Sequence, residues 1–223
     1  MKRILVSIFL LGSLVHCARQ KESISQSTQF TNAYLINLIR ANDPNSLDKI
    51  VFSRADVEGT TLTRINSTNQ DFYIYFSMQT NSQIPASQAS STSWDIAFNR
   101  YKIATNGGGT NSSGRGAVCL SSLTSVSVAA STARAAQNCS DDKFVSDTRT
   151  STQGIGGAVG EFVGNSILTD WFSYQIGNLT TKGLVYIVRS GTGNQYFAVR
   201  MESYYSDAGT SGYPTIRWKR LSE

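Results

Sequence analysis

The feature that most constrains the fold is the alternation of apolar and polar residues over residues 93–98. Trp94, Ile96 and Phe98 share one parity, and small or polar residues occupy the positions between them. Successive side chains of a strand point to opposite faces of a sheet. This period of two therefore predicts a β-strand with one buried face.

The apolar parity shifts by one position after this stretch, because the next apolar residues are Tyr101 and Ile103. A shift of one residue predicts a β-bulge within a single continuous strand. Asn106 and the glycines at 107–109 then predict the end of the strand, since Asn and Gly adopt positive φ at low cost.

The rest of the chain predicts a mainly β protein, an antiparallel β-sheet domain with long loops and a short N-terminal helix. Helical spacing of the apolar residues predicts that helix over residues 31–40. Further strands are predicted around residues 50–52, 62–65, 71–78, 183–189, 195–205 and 213–221. The Ser-, Thr- and Gly-rich stretch at about 110–165 is predicted to be a long loop insertion, which is usually functional or mobile.

The N-terminus predicts export to the cell surface. A positively charged start precedes an apolar run that is too short to span a bilayer, and the run ends at Cys17. Leu14 and Cys17 are placed as in a bacterial lipobox, although His16 is unusual beside the cysteine. We expect a lipoprotein signal peptide at 1–16, a lipid-anchored polar tether with the short helix at 17–48, and the β domain at 49–223. The alternative is an ordinary secretory signal, which would release the protein.

The remaining cysteines, Cys119 and Cys139, predict a disulfide, because an isolated pair in an oxidising compartment is usually joined. The alternative is a pair of thiolate metal ligands. That would need at least one further donor, and the pair lacks the close spacing of known zinc sites.

The composition argues against an enzyme. His16 is the only histidine and lies in the predicted signal peptide, so no histidine is left for a catalytic triad or a histidine-based metal site. Asp141 and Asp142 could bind a cation, but a solvated loop is the simpler interpretation. The glycine-rich residues 154–160 lack the spacing and the lysine of nucleotide-binding loops. A net charge of +5 without basic runs predicts no nucleic-acid partner.

Several blocks, in order along residues 50–223, resemble the HmuY family of bacterial surface proteins. The blocks are FYIYFSM at 72–78, SWDIAFNRY at 93–101, TNGG at 105–108, WFSY at 171–174, VYIVRSG at 185–191, QYFAVR at 195–200, SYY at 203–205 and SGYP at 211–214. The resemblance is weakest between residues 110 and 165. It implies a mostly antiparallel β fold and a surface protein that is anchored by lipid or shed.

The resemblance also implies haem capture for iron acquisition. The best-known members of the family hold haem iron from two sides through His or Met on loops, and pass the haem to an outer-membrane receptor. Here no His or Met lies between Arg100 and Trp171, so no ligand can be assigned by position. Met78 and Met201 have the inward parity of strands, which favours core packing. They remain candidate haem contacts.

Tyr101, Tyr174 and Lys143 are the other candidate haem contacts, because tyrosine is a known axial ligand. Two functions remain open at this stage. The first is a haem- or tetrapyrrole-binding lipoprotein of the outer membrane, whose partners would be lipid through Cys17, a haem receptor or a host haemoprotein. The second is a binding or adhesion module that uses the same scaffold without haem.

Overall fold

The computed structural model describes residues 51–127, 138–151 and 160–222, all within one structural unit, Pro44–Glu223. The described part of the chain is mainly β. Its strands are β1 (Val51–Ala55), β2 (Thr61–Ile65), β3 (Ile74–Ser77), β4 (Ser82–Ile84), β5 (Ile96–Asn99), β6 (Lys102–Thr105), β7 (Ala117–Leu120), β8 (Thr148–Ser151), β9 (Glu161–Gly164), β10 (Phe172–Gln175), β11 (Asn178–Thr181), β12 (Val185–Arg189), β13 (Tyr196–Tyr205) and β14 (Ser211–Arg220). Short 3₁₀ turns lie at Val57–Gly59, Ala86–Gln88, Asp141–Lys143 and Ile167–Asp170.

Two antiparallel sheets share the main hydrophobic core. The larger sheet has six strands in the order β1-β2-β14-β13-β12-β7, and the smaller has four in the order β4-β3-β5-β6. Phe76 and Phe98 of the smaller sheet and Phe197 and Trp218 of the larger sheet belong to one buried cluster. The predicted mainly β, antiparallel fold is confirmed.

The alternation that opened the sequence analysis corresponds to the buried β5. Ile96 and Phe98 lie opposite Phe76 and Ile74 of β3, so that both strands present one apolar face to the larger sheet. The other face packs around Trp94, which is fully buried. The period of two therefore located the core strand, but the predicted single buried face is wrong. All four residues of β5 are buried, and Trp94 precedes the strand and packs with Ala97 and Ala104 on the face opposite to Ile96 and Phe98.

The predicted bulge after Phe98 is wrong, because the chain turns there into a β-hairpin. Asn99 pairs with Lys102, which leaves Arg100 and Tyr101 as the turn. Arg100 adopts a φ of 53°, and its N–H donates to the carbonyl of Ser67 at 3.2 Å. A hairpin also moves the apolar residues to the opposite parity, so the sequence pattern did not distinguish it from a bulge.

The described part of the region 110–165 contains three strands as well as loops. β7 extends the larger sheet by pairing with β12, and β8 pairs with β9 as a separate hairpin. β10 and β11 form a second separate hairpin just after this region. The strands β8 and β9 are largely polar and exposed, so they lack the alternation that identifies a half-buried strand.

Cys119 and Cys139 form a disulfide, as predicted, with their Cα atoms 5.7 Å apart. Both residues are buried in a second, smaller cluster with Ile187, Ala198 and Leu221. The disulfide thus joins β7 to the segment that precedes the 3₁₀ turn Asp141–Lys143.

The predictions for the N-terminus lie outside the described residues. They comprise the signal peptide at 1–16, the lipid attachment at Cys17 and the helix at 31–40. Among the residues that the structure describes, no helix is both long and apolar enough to cross a membrane.

Candidate functional site

A buried aspartate holds the start of β5 against two turns. Asp95 is 2% exposed. One of its carboxylate oxygens accepts hydrogen bonds from the N–H groups of Met78 at 2.7 Å and Gln79 at 3.2 Å, and the other accepts from Gly191 at 3.1 Å. Bonds to a charged group contribute about 1.5–3 kcal/mol each, so Asp95 is a structural anchor of the fold.

A second buried aspartate fixes the base of the β8–β9 hairpin. Asp147 is 1% exposed and accepts from the N–H of Thr105 at 2.7 Å and from its hydroxyl at 2.6 Å. The hydroxyl of Thr110 and the side-chain amide of Asn165 also donate to it, at 2.6 and 3.1 Å. Asp147 therefore joins β6, the glycine-rich loop and the end of β9.

The glycine-rich loop after β6 is ordered by side-chain amides. Asn111 donates to the side-chain oxygen of Asn106 at 2.7 Å, and Asn106 donates to the carbonyl of Trp94 at 2.8 Å. A Cβ at Gly116 would lie 2.7 Å from backbone atoms of Asn106, so close approach of two chain segments requires glycine there. This loop is structural in the described part of the molecule.

Burial controls the protonation of the groups around these loops. Desolvation raises the pKa of Asp95 and of Asp147, although the surrounding hydrogen-bond donors oppose that rise. Desolvation and the nearby Asp147 charge also raise the pKa of Tyr73. The phenol therefore stays protonated and donates to the carbonyl of Val163 in β9 at 3.2 Å.

The two methionine candidates are buried and do not reach the protein surface. Met78 and Met201 are 2% and 3% exposed and both belong to the main core. Their thioethers pack between the two sheets, which is the core role that strand parity predicted.

Of the two tyrosine candidates, Tyr174 belongs to the β10–β11 hairpin and Tyr101 packs against it. Tyr101 packs edge-on against Phe172 with ring centroids 6.1 Å apart, and its carbonyl accepts a hydrogen bond from the indole N–H of Trp171 at 3.0 Å. Tyr174 follows on the same face of β10 as Phe172, and both tyrosines are partly buried against the main core.

The residue that sequence analysis missed is Ile176, at the tip of this hairpin. Its side chain is fully exposed, at 101%, and its φ of 45° is unusual for a β-branched residue. Exposure along the strand rises from 8% at Phe172 through the half-buried Tyr174 to this tip. We refer to Phe172, Tyr174 and Ile176 as the β10 apolar stripe. The Ile-Gly pair in a hairpin turn, where Asn-Gly is usual, was the available sequence signal.

The β8–β9 hairpin carries two apolar residues of its own among polar ones, and it lies beside Tyr73 and Gly109. Val163 is 38% exposed, and the ring of Phe162 lies under the ammonium group of Lys102 at 5.6 Å. Arg149 and Glu161 form an exposed ion pair across the hairpin at 2.9 Å. The tip of this hairpin falls outside the described residues.

Among the described residues, no group of three or more His, Cys, Asp or Glu side chains is placed so that it could hold a metal ion. Asp142 accepts from the hydroxyl of Ser140 at 2.5 Å and pairs with Lys143 at 3.6 Å on the exposed 3₁₀ turn. Lys143 is thus paired locally. Of the glycine-rich stretch 154–160, only Gly160 is described.

Comparison with known proteins identifies the scaffold. The model of the HmuY protein family matches residues 69–218. Among curated proteins, no relative matches the sequence.

Three solved structures share the fold. A protein of Bacteroides vulgatus described as HmuY-like and haem-binding superimposes with a TM-score of 0.54 at 24% identity, covering 74% of this chain and 93% of its own. A protein of Bacteroides fragilis described as a lipoprotein gives a TM-score of 0.52 at 20% identity, covering 77% of this chain and 96% of its own. The apo form of a HmuY analogue from Tannerella forsythia gives 0.52 at 15% identity, covering 79% and 100%. At these identities the likeness shows the fold alone.

Proposed function

The chain belongs to the HmuY family, and from that membership we propose that it is a surface lipoprotein that binds haem or another tetrapyrrole for iron acquisition. The proposed role is that of a carrier without enzymatic activity. A structural neighbour that is described as haem-binding supports the ligand class.

The observation that carries the proposal is the β10 apolar stripe. A tetrapyrrole presents two broad apolar faces, and binding removes such faces from water together with the protein surface that covers them. Ile176 is fully exposed in a backbone conformation that does not suit it, and Tyr174 lies beside it on the hairpin. We propose that this stripe contacts the tetrapyrrole ring.

The side chains present restrict how iron could be held. The described residues contain no histidine, and the thioethers of Met78 and Met201 are closed inside the core. A site with two His or two Met ligands from the described residues therefore does not fit. Tyr101 and Tyr174 remain the described side chains that could reach iron from the hairpin side. We propose that ring contacts supply most of the affinity and that axial ligation is weak or comes from tyrosine.

The test is a titration of the protein, purified without a histidine tag, with haemin in the oxidised and the reduced state. We expect a saturable Soret shift with one-to-one stoichiometry. Iron-free protoporphyrin IX should bind within about tenfold of haemin, because ring contacts do not require the metal. No spectral change in either redox state would remove the proposal.

Single variants then locate the contacts. Tyr174→Phe and Tyr101→Phe keep the ring and remove the hydroxyl, so a change in the Soret position in either variant identifies a tyrosine ligand. Met78→Leu and Met201→Leu are the matched controls, and we expect unchanged spectra because both residues lie in the core.

A second candidate function is a binding or adhesion module on the same scaffold without haem. The specific observation in its favour is that His16 is the only histidine of the chain and that both methionines outside the first residue are buried. The same titration separates the two functions, because a module of this kind leaves the haemin spectrum unchanged at every concentration.

We also propose that Cys17 attaches the protein to the outer membrane, where a haem receptor or a host haemoprotein would be its partner. The lipobox-like start of the sequence supports this location. Metabolic labelling with palmitate tests it: Cys17→Ser should lose the label and release the protein. Release with no label in either form would identify an ordinary secretory signal instead.

A further inference from the structure

A groove lies on the outer face of the larger sheet, on the side of that sheet that faces away from the main core. Its volume is about 930 Å³, which is within the range of small-molecule sites. Its lining includes Phe52, Arg54, Leu62, Arg64, Asp207 and Thr215.

Register explains why these side chains meet. Phe52 pairs with Arg64, and Arg64 pairs with Thr215, so the three lie in one row across β1, β2 and β14. Leu62 and Arg54 form the next row on the same face. Phe52 is 55% exposed, which is unusual for a large apolar side chain on a sheet and marks this face as accessible.

The groove lining has one more positively charged side chain than negatively charged ones. Arg64 donates two hydrogen bonds to Asp207, at 2.9 and 2.7 Å, and that guanidinium lowers the pKa of Asp207. Arg54 lies near enough to contribute to the same lowering, but it makes no hydrogen bond or ion pair of its own within the described residues. The lining therefore has a net charge of +1. The guanidinium of Arg54 is attracted by Asp207 and Asp56 but makes no hydrogen bond or ion pair with another described residue.

An unsatisfied hydroxyl marks the inner wall of the groove. Thr215 is 5% exposed, and its Oγ1 has no hydrogen-bond partner. A buried polar atom without a partner costs about 1–3 kcal/mol, and native structures contain few of them. The atom is closed to solvent, so a ligand atom in the groove would satisfy this hydroxyl only after the Thr215 side chain rotates toward the groove.

We propose that this groove binds an amphiphilic monocarboxylate of fatty-acid type. The guanidinium of Arg54 matches one carboxylate, and rotation of Thr215 toward the groove would bring its hydroxyl to the same head group. Phe52 and Leu62 line the groove where an alkyl chain would lie. The inference is independent of haem binding, since the groove and the β10 apolar stripe share no residue.

The test is calorimetric titration of the protein, freed of bound lipid, with dodecanoate and with dodecan-1-ol. We expect one-to-one binding of dodecanoate and at least about tenfold weaker binding of the alcohol, because the alcohol lacks the charge that a guanidinium recognises. Arg54→Gln should weaken dodecanoate about tenfold and leave dodecan-1-ol unchanged. Arg220→Gln, at the exposed end of β14, is the matched control and should bind as the parent does.

Thr215→Val keeps the shape of the side chain and removes only the hydroxyl. We expect weaker binding of dodecanoate with no loss of folding stability, because Oγ1 has no partner to lose. Equal affinity for the acid and the alcohol, or equal losses in Arg54→Gln and Arg220→Gln, would overturn the proposal. So would displacement of dodecanoate by protoporphyrin IX, because the groove would then be part of a tetrapyrrole site.

Discussion

The carboxylate of Asp95 accepts a hydrogen bond at 3.1 Å from the backbone N–H of Gly191, although the two residues are 96 positions apart in the chain. Asp95 immediately precedes β5, the core strand of the smaller sheet, and Gly191 lies in the turn between β12 and β13 of the larger sheet. This bond therefore joins the two sheets at one end.

Gly191→Ala should destabilise the protein by about 3 kcal/mol, at the upper end for an overpacked site. A Cβ at this position would lie 2.3 Å from the carbonyl oxygen of Trp94 and 2.6 Å from the side-chain amide of Asn106. Urea unfolding measures the loss. Gly160→Ala is the control, because no atom lies within 4 Å of its added Cβ. Equal stabilities of the two variants would show that the turn shifts without cost.

Asp147→Asn should destabilise the protein by about 2 kcal/mol. All four of its partners donate, so an amide nitrogen in place of one carboxylate oxygen would face either the N–H of Thr105 or the amide of Asn165. Asp71→Asn, on an exposed loop, is the control and should stay within about 0.5 kcal/mol of the parent.

The loss in Asp147→Asn should depend on pH. Burial raises the pKa of Asp147 in the folded protein above its usual value near 3.8, so the folded state holds this proton more tightly than the unfolded state does. The contribution of the carboxyl group is therefore greatest below that value and falls as the pH rises through the folded pKa. The stability difference between parent and variant should be larger at pH 4 than at pH 7. A difference that grows with pH would mean that the four donors outweigh desolvation.

Local periodicity was sufficient to predict the core strands of both sheets. The alternation of the large residues Ile96 and Phe98 with smaller ones is a property of neighbouring residues, so it shows in the sequence wherever the strand lies in the fold. The burial of the second face around Trp94 was not predicted, because it depends on residues of other strands. The turn at Arg100 was not predicted, because its positive φ is held by the carbonyl of Ser67, which is distant in the sequence.

The candidate site was predicted only in part for the same reason. Tyr101 and Tyr174 were chosen by residue type, and the structure brings both to the β10–β11 hairpin. Asp147 and Ile176 were missed because the burial of one and the exposure of the other depend on how the hairpins pack. Where a sequence has no clear hydrophobic period, it does not show whether a given side chain will be buried or exposed.

Replacing both Cys119 and Cys139 by Ala should lower the free energy of unfolding by about 3 kcal/mol, because the disulfide closes a loop of about 20 residues in the unfolded chain. Unfolding of the parent in reducing buffer should show the same loss. The variant should be insensitive to the reductant, which provides the control. A loss below about 1 kcal/mol would mean that the buried cluster around Ile187 retains its packing without the covalent link.

Ile176→Asn should have opposite effects on stability and on haemin binding. Asn accepts a positive φ more readily than a β-branched residue, so the turn before Gly177 should gain about 1 kcal/mol in unfolding experiments. If the β10 apolar stripe covers a tetrapyrrole, the loss of one apolar side chain should weaken haemin about tenfold.

The paired control for this variant is Val57→Asn, which removes another exposed apolar side chain from a turn on the larger sheet. It should leave haemin binding unchanged. A gain in stability with unchanged haemin affinity would show that Ile176 has no part in the site, and the tetrapyrrole would then have to lie elsewhere. A loss of affinity in Ile176→Asn alone would place the ligand at this hairpin, since the variant fold is at least as stable as the parent.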